Sequence, residues 1–190
     1  MKFDASAVPA ALLSRGQTSD NHPIGTNPEE GGMSDSRQPV RLAGSTLDQA
    51  RHVCAFFHTK DEEYEVLLPF IKEGFVAGDK AFHVVDPAHH SEHLRRLQDA
   101  GIAVSKAQEA RQLEVRRWEE AYLQGGHFDQ NRMLALIEEV LQRGKAEGFP
   151  LTRLVANMEW ALEDRPGVDA IVEYETRLNF VLPKYDDAVC

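Results

Sequence analysis

From residue 51 onward the apolar positions switch between two spacings. Residues 51–57 place Val53, Ala55 and Phe57 on one side of an extended chain and His52, Cys54 and Phe56 on the other. Apolar residues on both sides predict a first strand covered on both faces, as in a parallel sheet. The spacing then becomes helical, with Val66, Leu67, Phe70, Ile71 and Phe75 forming one stripe. Thr59 and Glu62 have capping-box spacing, Asp61, Glu62 and Glu63 suit the positive helix end, and Gly78 closes the helix. Pro69 lies inside it and is expected to kink it or remove one backbone bond. Residues 80–86 predict a second strand, broken by Pro87. A helix capped by Ser91 follows, with Leu94 and Leu97 inward and Gly101 at its end, then a short helix over 106–110. A third strand is expected at 113–118 and a turn at 124–127. Asp129 caps a long helix with the stripe Met133, Leu134, Ile137, Val140 and Leu141, stopped by Gly148. A fourth strand over 151–160 carries Asn157, Glu159 and Trp160. The last helix opens at 164–167 and presents Val168, Ile171, Leu178 and Leu182; Ala188 and Val189 begin a fifth strand. Strands alternating with helices predict an α/β fold, a mainly parallel sheet flanked by helices.

Residues 1–45 have no sustained apolar period and are rich in Gly, Pro, Ser, Asn and Asp. Such a segment cannot bury enough apolar surface to offset the entropy of ordering it, so 1–45 is expected to be a disordered tail and 46–190 one domain. Met33 is an alternative start. The net charge of −10 repels phosphate backbones, which argues against direct nucleic-acid binding. No apolar run is long enough to span a bilayer, and the apolar run 10–13 is too short for a secretory signal. No membrane partner and a cytoplasmic location are the expectation. The two cysteines, Cys54 and Cys190, are no disulfide framework, and reduced thiols fit that compartment.

Several side chains carry candidate chemistry. His52 and Cys54 lie two apart on an extended segment and share a side. They either hold a metal or clasp a polar ligand, or else pack under a helix as a hydrogen-bonded imidazole and a small hydrophobe. His89, His90 and His93 could meet on a helical turn, but no acidic or cysteine partner is spaced to complete a metal site, and none is expected. Glu159, near the end of an apolar strand, either accepts a hydrogen bond from a ligand at the sheet edge or pairs with an arginine. Phe56, His83 and Tyr122 fit a pocket lining or ordinary core, and Trp160 fits a core wall. A phosphate loop needs glycines followed by Lys and Ser/Thr. After the first predicted strand come His58, Thr59, Lys60 and three carboxylates, without glycine, so ATP hydrolysis is not expected.

Residues 50–190 resemble one family. The resemblance is carried by 52–57 (HVCAFF), 68–74 (LPFIKEG), 78–80 (GDK), 122–123 (YL), 126–129 (GHFD), 158–162 (MEWAL), 173–175 (EYE) and 177–179 (RLN), in that order and spacing. They look like the MEDS domain, a sensory domain of methanogens, methylotrophs and the dichloromethane regulator. The resemblance implies a RecA/KaiC-like three-layer sandwich that lost its phosphate loop. It also implies a bacterial or archaeal signalling role, sensing small hydrocarbon derivatives. The expected function is a non-enzymatic sensory domain that binds a small, weakly polar ligand and relays to a signalling partner, a kinase or transcription regulator. The expected ligand-binding set is His52, Cys54, Phe56, His83, Tyr122, Glu159 and Trp160, with no catalytic residue, metal or cofactor. A ligand-free interaction module is the alternative, then a hydrolase using Glu159 or a thiol enzyme using Cys54 and His52. The family pattern usually continues past Cys190, so the last strand is expected to be cut short here.

Overall fold

The computed structural model describes residues 39–47, 51–185 and 188–189. Of the tail expected over 1–45, residues 1–38 lie outside them. A short hairpin comes first, β1 (Val40–Leu42) and β2 (Ser45–Leu47), antiparallel with Val40 opposite Leu47. Its two-residue turn, Ala43 and Gly44, has positive φ at both positions, the twist that lets two strands pair across so short a loop. Val40 and Leu42 are buried in the core. The expectation of a structureless tail is therefore corrected over 40–45. Two apolar side chains docked on a neighbouring helix supply the burial that three-residue strands lack by themselves.

The second correction concerns residues 51–57. They form no strand, and the sheet does not contain them. The alternation is nonetheless real. Val53 and Phe57 pack against one apolar cluster, while His52 and Cys54 reach the last helix. A period of two reports an extended backbone with two unlike sides; it says nothing about hydrogen-bonded neighbours.

Helix α1 spans Lys60–Ala77. Thr59 caps it by accepting the Glu62 amide, and Gly78, at φ 82°, ends it in the left-handed conformation. Pro69 sits on the exposed side, and the helix runs through it. After α1 come β3 (Lys80–Val85), α2 (His90–Asp99), α3 (Val104–Glu109), β4 (Leu113–Arg117), α4 (Gln130–Ala146), β5 (Thr152–Ala156), α5 (Ile171–Val181) and β6 (Ala188–Val189). Asp86 caps a short turn ahead of α2, so Ser91 falls inside that helix and does not cap it. The fourth strand is shorter than expected, and Glu159 and Trp160 lie on a 3-10 turn beyond its end.

The four strands of the sheet are parallel, in the order β4-β3-β5-β6. Helices cover both faces. Phe82, Val84 and Leu154 point into a core shared with α4 and α5, while Ala81, Leu113 and Val155 face α1, α2 and α3. The first of these cores holds an aromatic group. Trp160 lies 5.0 Å from Tyr122 and 5.1 Å from Phe128, and Tyr174 meets Phe128 edge-on at 5.4 Å.

On the other face Arg153 is buried with Asp79. Its Nε donates to Asp79 Oδ2 at 2.8 Å and its Nη1 to the Phe70 carbonyl at 2.8 Å. Gly74 of α1 makes room for it, since a Cβ there would stand 2.7 Å from Arg153 Cδ. Another close approach sets α5 against α4. The Phe128 amide donates to the Pro166 carbonyl at 3.0 Å, and Gly167 follows at φ 88°. A Cβ on Gly167 would fall 2.2 Å from the Phe128 carbonyl oxygen. Gly167→Ala is therefore expected to cost about 1–3 kcal/mol, read as a lower urea midpoint at unchanged slope. An unchanged midpoint would refute this account of the crossing.

Candidate functional site

The strand order dictates where a crevice opens. From β3 the chain crosses to β4 on one side, and from β5 it continues to β6 on the other. Neighbouring strands whose connections leave in opposite directions part at their C-terminal ends, where α/β sheets hold ligands. A cavity of about 230 Å³ lies there, lined by Lys60, Tyr64, Val85, His89, Glu92, His93, Arg96 and Asn157. Val85 ends β3, Asn157 follows β5, and Lys60 and Tyr64 come from the first turns of α1.

The polar lining is paired in advance. Lys60 Nζ donates to Glu63 Oε2 at 3.0 Å and also to Glu159. Burial pulls the Lys60 ammonium down, but the bonds to Glu159 and Glu63 outweigh it and hold the group above its ordinary value. Asn157 Nδ2 donates to the other Glu63 oxygen at 2.7 Å. The Arg96 guanidinium lies 4.5 Å over the Tyr64 ring and donates to Glu92 and Asp61. Behind the cavity runs a buried chain: Tyr64 Oη is 2.7 Å from His93 Nδ1, and His93 Nε2 is 2.8 Å from His83 Nδ1. Either direction of donation leaves His83 Nε2 without a partner among the described residues. Burial pushes the His93 imidazole down to about 4, and burial with the adjacent His93 holds His83 well below its ordinary value. Both rings are thus neutral at pH 7.

Backbone amides at the start of α1 are already engaged. The Glu62 amide is taken by Thr59, and the His58 amide donates to the Glu62 carboxylate at 2.7 Å. Asp61, Glu62 and Glu63 add negative charge at the same point.

The residues expected to bind ligand fall in four places. Glu159 reaches the cavity's rim through Lys60, and His83 is joined to it through His93. Tyr122 and Trp160 are core, locked in the aromatic group behind the sheet. Phe56 is 92% exposed and is not part of the cavity's lining; the segment that carries it lies outside the sheet. His52 and Cys54 do not line the cavity; they meet Glu175 and Asn179 of α5. His52 Nε2 is 3.0 Å from Glu175 Oε2, His52 Nδ1 is 3.0 Å from Asn179 Oδ1, and Cys54 Sγ is 3.7 Å from Glu175 Oε2. With an acceptor on each nitrogen, His52 favours the imidazolium; the Glu175 bond raises it against the opposing effect of burial. Burial and the same carboxylate push the Cys54 thiol up, which leaves it a poor nucleophile at neutral pH. His93 cannot join His89 and His90 around an ion, since both its nitrogens are engaged.

Lys60, Tyr64 and Arg96 were not legible as a site. Tyr64 and Arg96 are 32 positions apart and meet only because α2 crosses the start of α1. Asn157 was legible only as a polar residue on the strand expected over 151–160.

A family model described as MEDS, MEthanogen/methylotroph, DcmR Sensory domain, matches residues 51–190. The chain belongs to the MEDS family. Its MEDS domain is a sensory domain, and its place is in signalling. The chain is also similar to the transcriptional repressor DcmR of Methylorubrum extorquens, 26% identical over 143 residues. That match takes in 75% of this chain and 51% of the relative, so the chain spans about half the length of the curated relative it matches. No solved structure matches it. Among the described residues, no helix of this MEDS protein is long and apolar enough to cross a membrane.

Proposed function

We propose that this MEDS domain is a non-enzymatic cytoplasmic sensor that takes a small, weakly polar organic molecule into the cavity between Val85 and Asn157. A transcription regulator or kinase then reads the change. The observation that carries this reading is the cavity of about 230 Å³ at the β3–β5 switch, where the nearby charges are already paired with one another. Pre-paired lysine and arginine leave little unbalanced charge for an ionic ligand, while Val85 and the Tyr64 ring offer apolar contact. We also take the sheet with helices on both faces as a RecA/KaiC-like three-layer sandwich, with its former phosphate position closed by Thr59 and Glu62. Ligand binding would act on the start of α1, because Lys60 and Tyr64 belong both to the lining and to that helix.

Thermal unfolding of the full chain against small halocarbons, alcohols, amines and nucleotides tests this. A fitting ligand at about a hundredfold excess over its Kd adds about 2.7 kcal/mol, a rise of several degrees. Nucleotides are expected to give none. His89→Trp, which places a large ring at the half-exposed edge of the cavity, is expected to abolish the rise. Uniform failure across the panel would overturn the sensor reading. It would favour a ligand-free interaction module, for which the exposed Val172 and Phe180 of α5 already speak.

A further inference from the structure

We propose that His52, Cys54 and Glu175 form a site for one borderline-soft divalent metal ion of the zinc class, with its fourth position open to solvent. One imidazole nitrogen, one sulfur and one carboxylate oxygen all lie within 4.8 Å of one another. The two closest separations are 3.0 Å from Nε2 to Oε2 and 3.7 Å from Sγ to Oε2. The edges of a tetrahedron built on ordinary zinc bonds to nitrogen, sulfur and oxygen are about 3.3–3.7 Å. Small side-chain rotations bring the three donors to that spacing, and Cys54, being exposed, is free to make them.

Three further features fit an ion. The donor set excludes a preference for magnesium or calcium, which take oxygen alone. The second nitrogen of His52 is held by Asn179 Oδ1, and Asn179 is itself anchored by its Nδ2 to the Glu175 carbonyl at 3.2 Å. A ligating histidine needs such a partner to fix its ring and leave Nε2 as the metal-binding atom. The exposed thiol gives an ion a way in and leaves a face for water or a small ligand. On binding, the metal–sulfur, metal–nitrogen and metal–oxygen bonds replace metal–water bonds of the hydrated ion, the displaced waters leave to solvent, and the thiol proton and the proton on His52 Nε2 pass to solvent. No oxidation is involved. The ion would tie the segment leading into α1 to α5, two parts of the chain 121 residues apart at Cys54 and Glu175. This site goes beyond the sensor reading and shares no residue with the cavity, so each stands or falls separately.

The test is a cobalt(II) titration of the full chain, reduced and stripped with chelator. One equivalent of cobalt is expected to give a thiolate-to-cobalt charge-transfer band and the strong visible bands of a low-coordinate ion, both erased by zinc. Cys54→Ser should remove the charge-transfer band, while Cys190→Ser should leave it. Asn179→Ala should weaken binding by about tenfold or more while the band persists, as expected of a positioning residue. His52→Asn and Glu175→Gln should weaken it further, with the circular dichroism of the metal-free chain unchanged. The proposal is overturned if cobalt gives no thiolate band, if the band survives Cys54→Ser, or if binding is lost in a His89→Ala/His90→Ala variant but kept in His52→Asn.

Discussion

Arg153→Met is expected to destabilise the domain by about 3–5 kcal/mol, the usual cost of removing one partner of a buried ion pair. Both side chains are nearly inaccessible, at 4% for Arg153 and 2% for Asp79. Burial already pushes the Asp79 carboxyl up, against the opposing pull of the Arg153 bond. Without the guanidinium, that carboxylate is left leaning on the Leu151 amide for its charge. The Phe70 carbonyl also loses its side-chain donor, and the Arg153 stem no longer fills the space against Gly74. Urea unfolding measures the loss. Adding Asp79→Asn to Arg153→Met is expected to restore much of it, because a neutral amide can still accept from Leu151 without a buried charge. A single variant within about 1 kcal/mol of the parent, or a double variant less stable than the single, would refute the argument.

Acid is expected to destabilise this domain at a pH where most carboxylates are still ionised. His93 has an ordinary value of 6.5 and is held at about 4 in the fold. Below 6.5 the unfolded chain binds a proton that the folded chain refuses, so stability falls as pH falls, until the folded value is reached near 4. The full span corresponds to about 3 kcal/mol, of which about 2 kcal/mol is lost by pH 5. His83 adds in the same direction. The groups facing His93 are Tyr64, His83, Lys60 and His90. Lys60 and His90 raise its resistance to protonation further, since each brings positive charge near the ring. Urea midpoints across pH 5–7 read the slope. His93→Gln should flatten it and leave an amide that can still meet Tyr64 and His83. An equally steep slope in that variant would assign the acid sensitivity elsewhere.

Much of the fold was legible because its elements announce themselves locally. Thr59, Gly78 and Asp129 fell at the helix ends where the capping chemistry put them, and the α4 stripe of Met133, Leu134, Ile137, Val140 and Leu141 is wholly buried. The hairpin was not legible, because Val40 and Leu42 are too few to make a pattern before α1 supplies their contact. The site was legible only as a location, the C-terminal edge of the sheet. Of its lining, His93 drew notice only as one of three clustered histidines at a helix start, and Lys60, Tyr64 and Arg96 carried no local signal. Tyr122 and Trp160 drew notice as aromatics, but periodicity cannot tell a pocket wall from a core wall. That distinction rests on which helix covers them, and here α4 and α5 do.

By itself the amino-acid sequence determined the alternating strands and helices, the parallel class of the sheet, the glycine-free acidic turn before α1 and the resemblance to a sensory family. Each of these depends on neighbours within a few residues or on the order of short motifs. The tertiary structure alone decided that 51–57 stay outside the sheet, that β3 and β5 part to open the cavity, and that His52 and Cys54 face Glu175. Those outcomes depend on contacts between segments far apart in the chain, where the alternation of side chains gives direction but not partner.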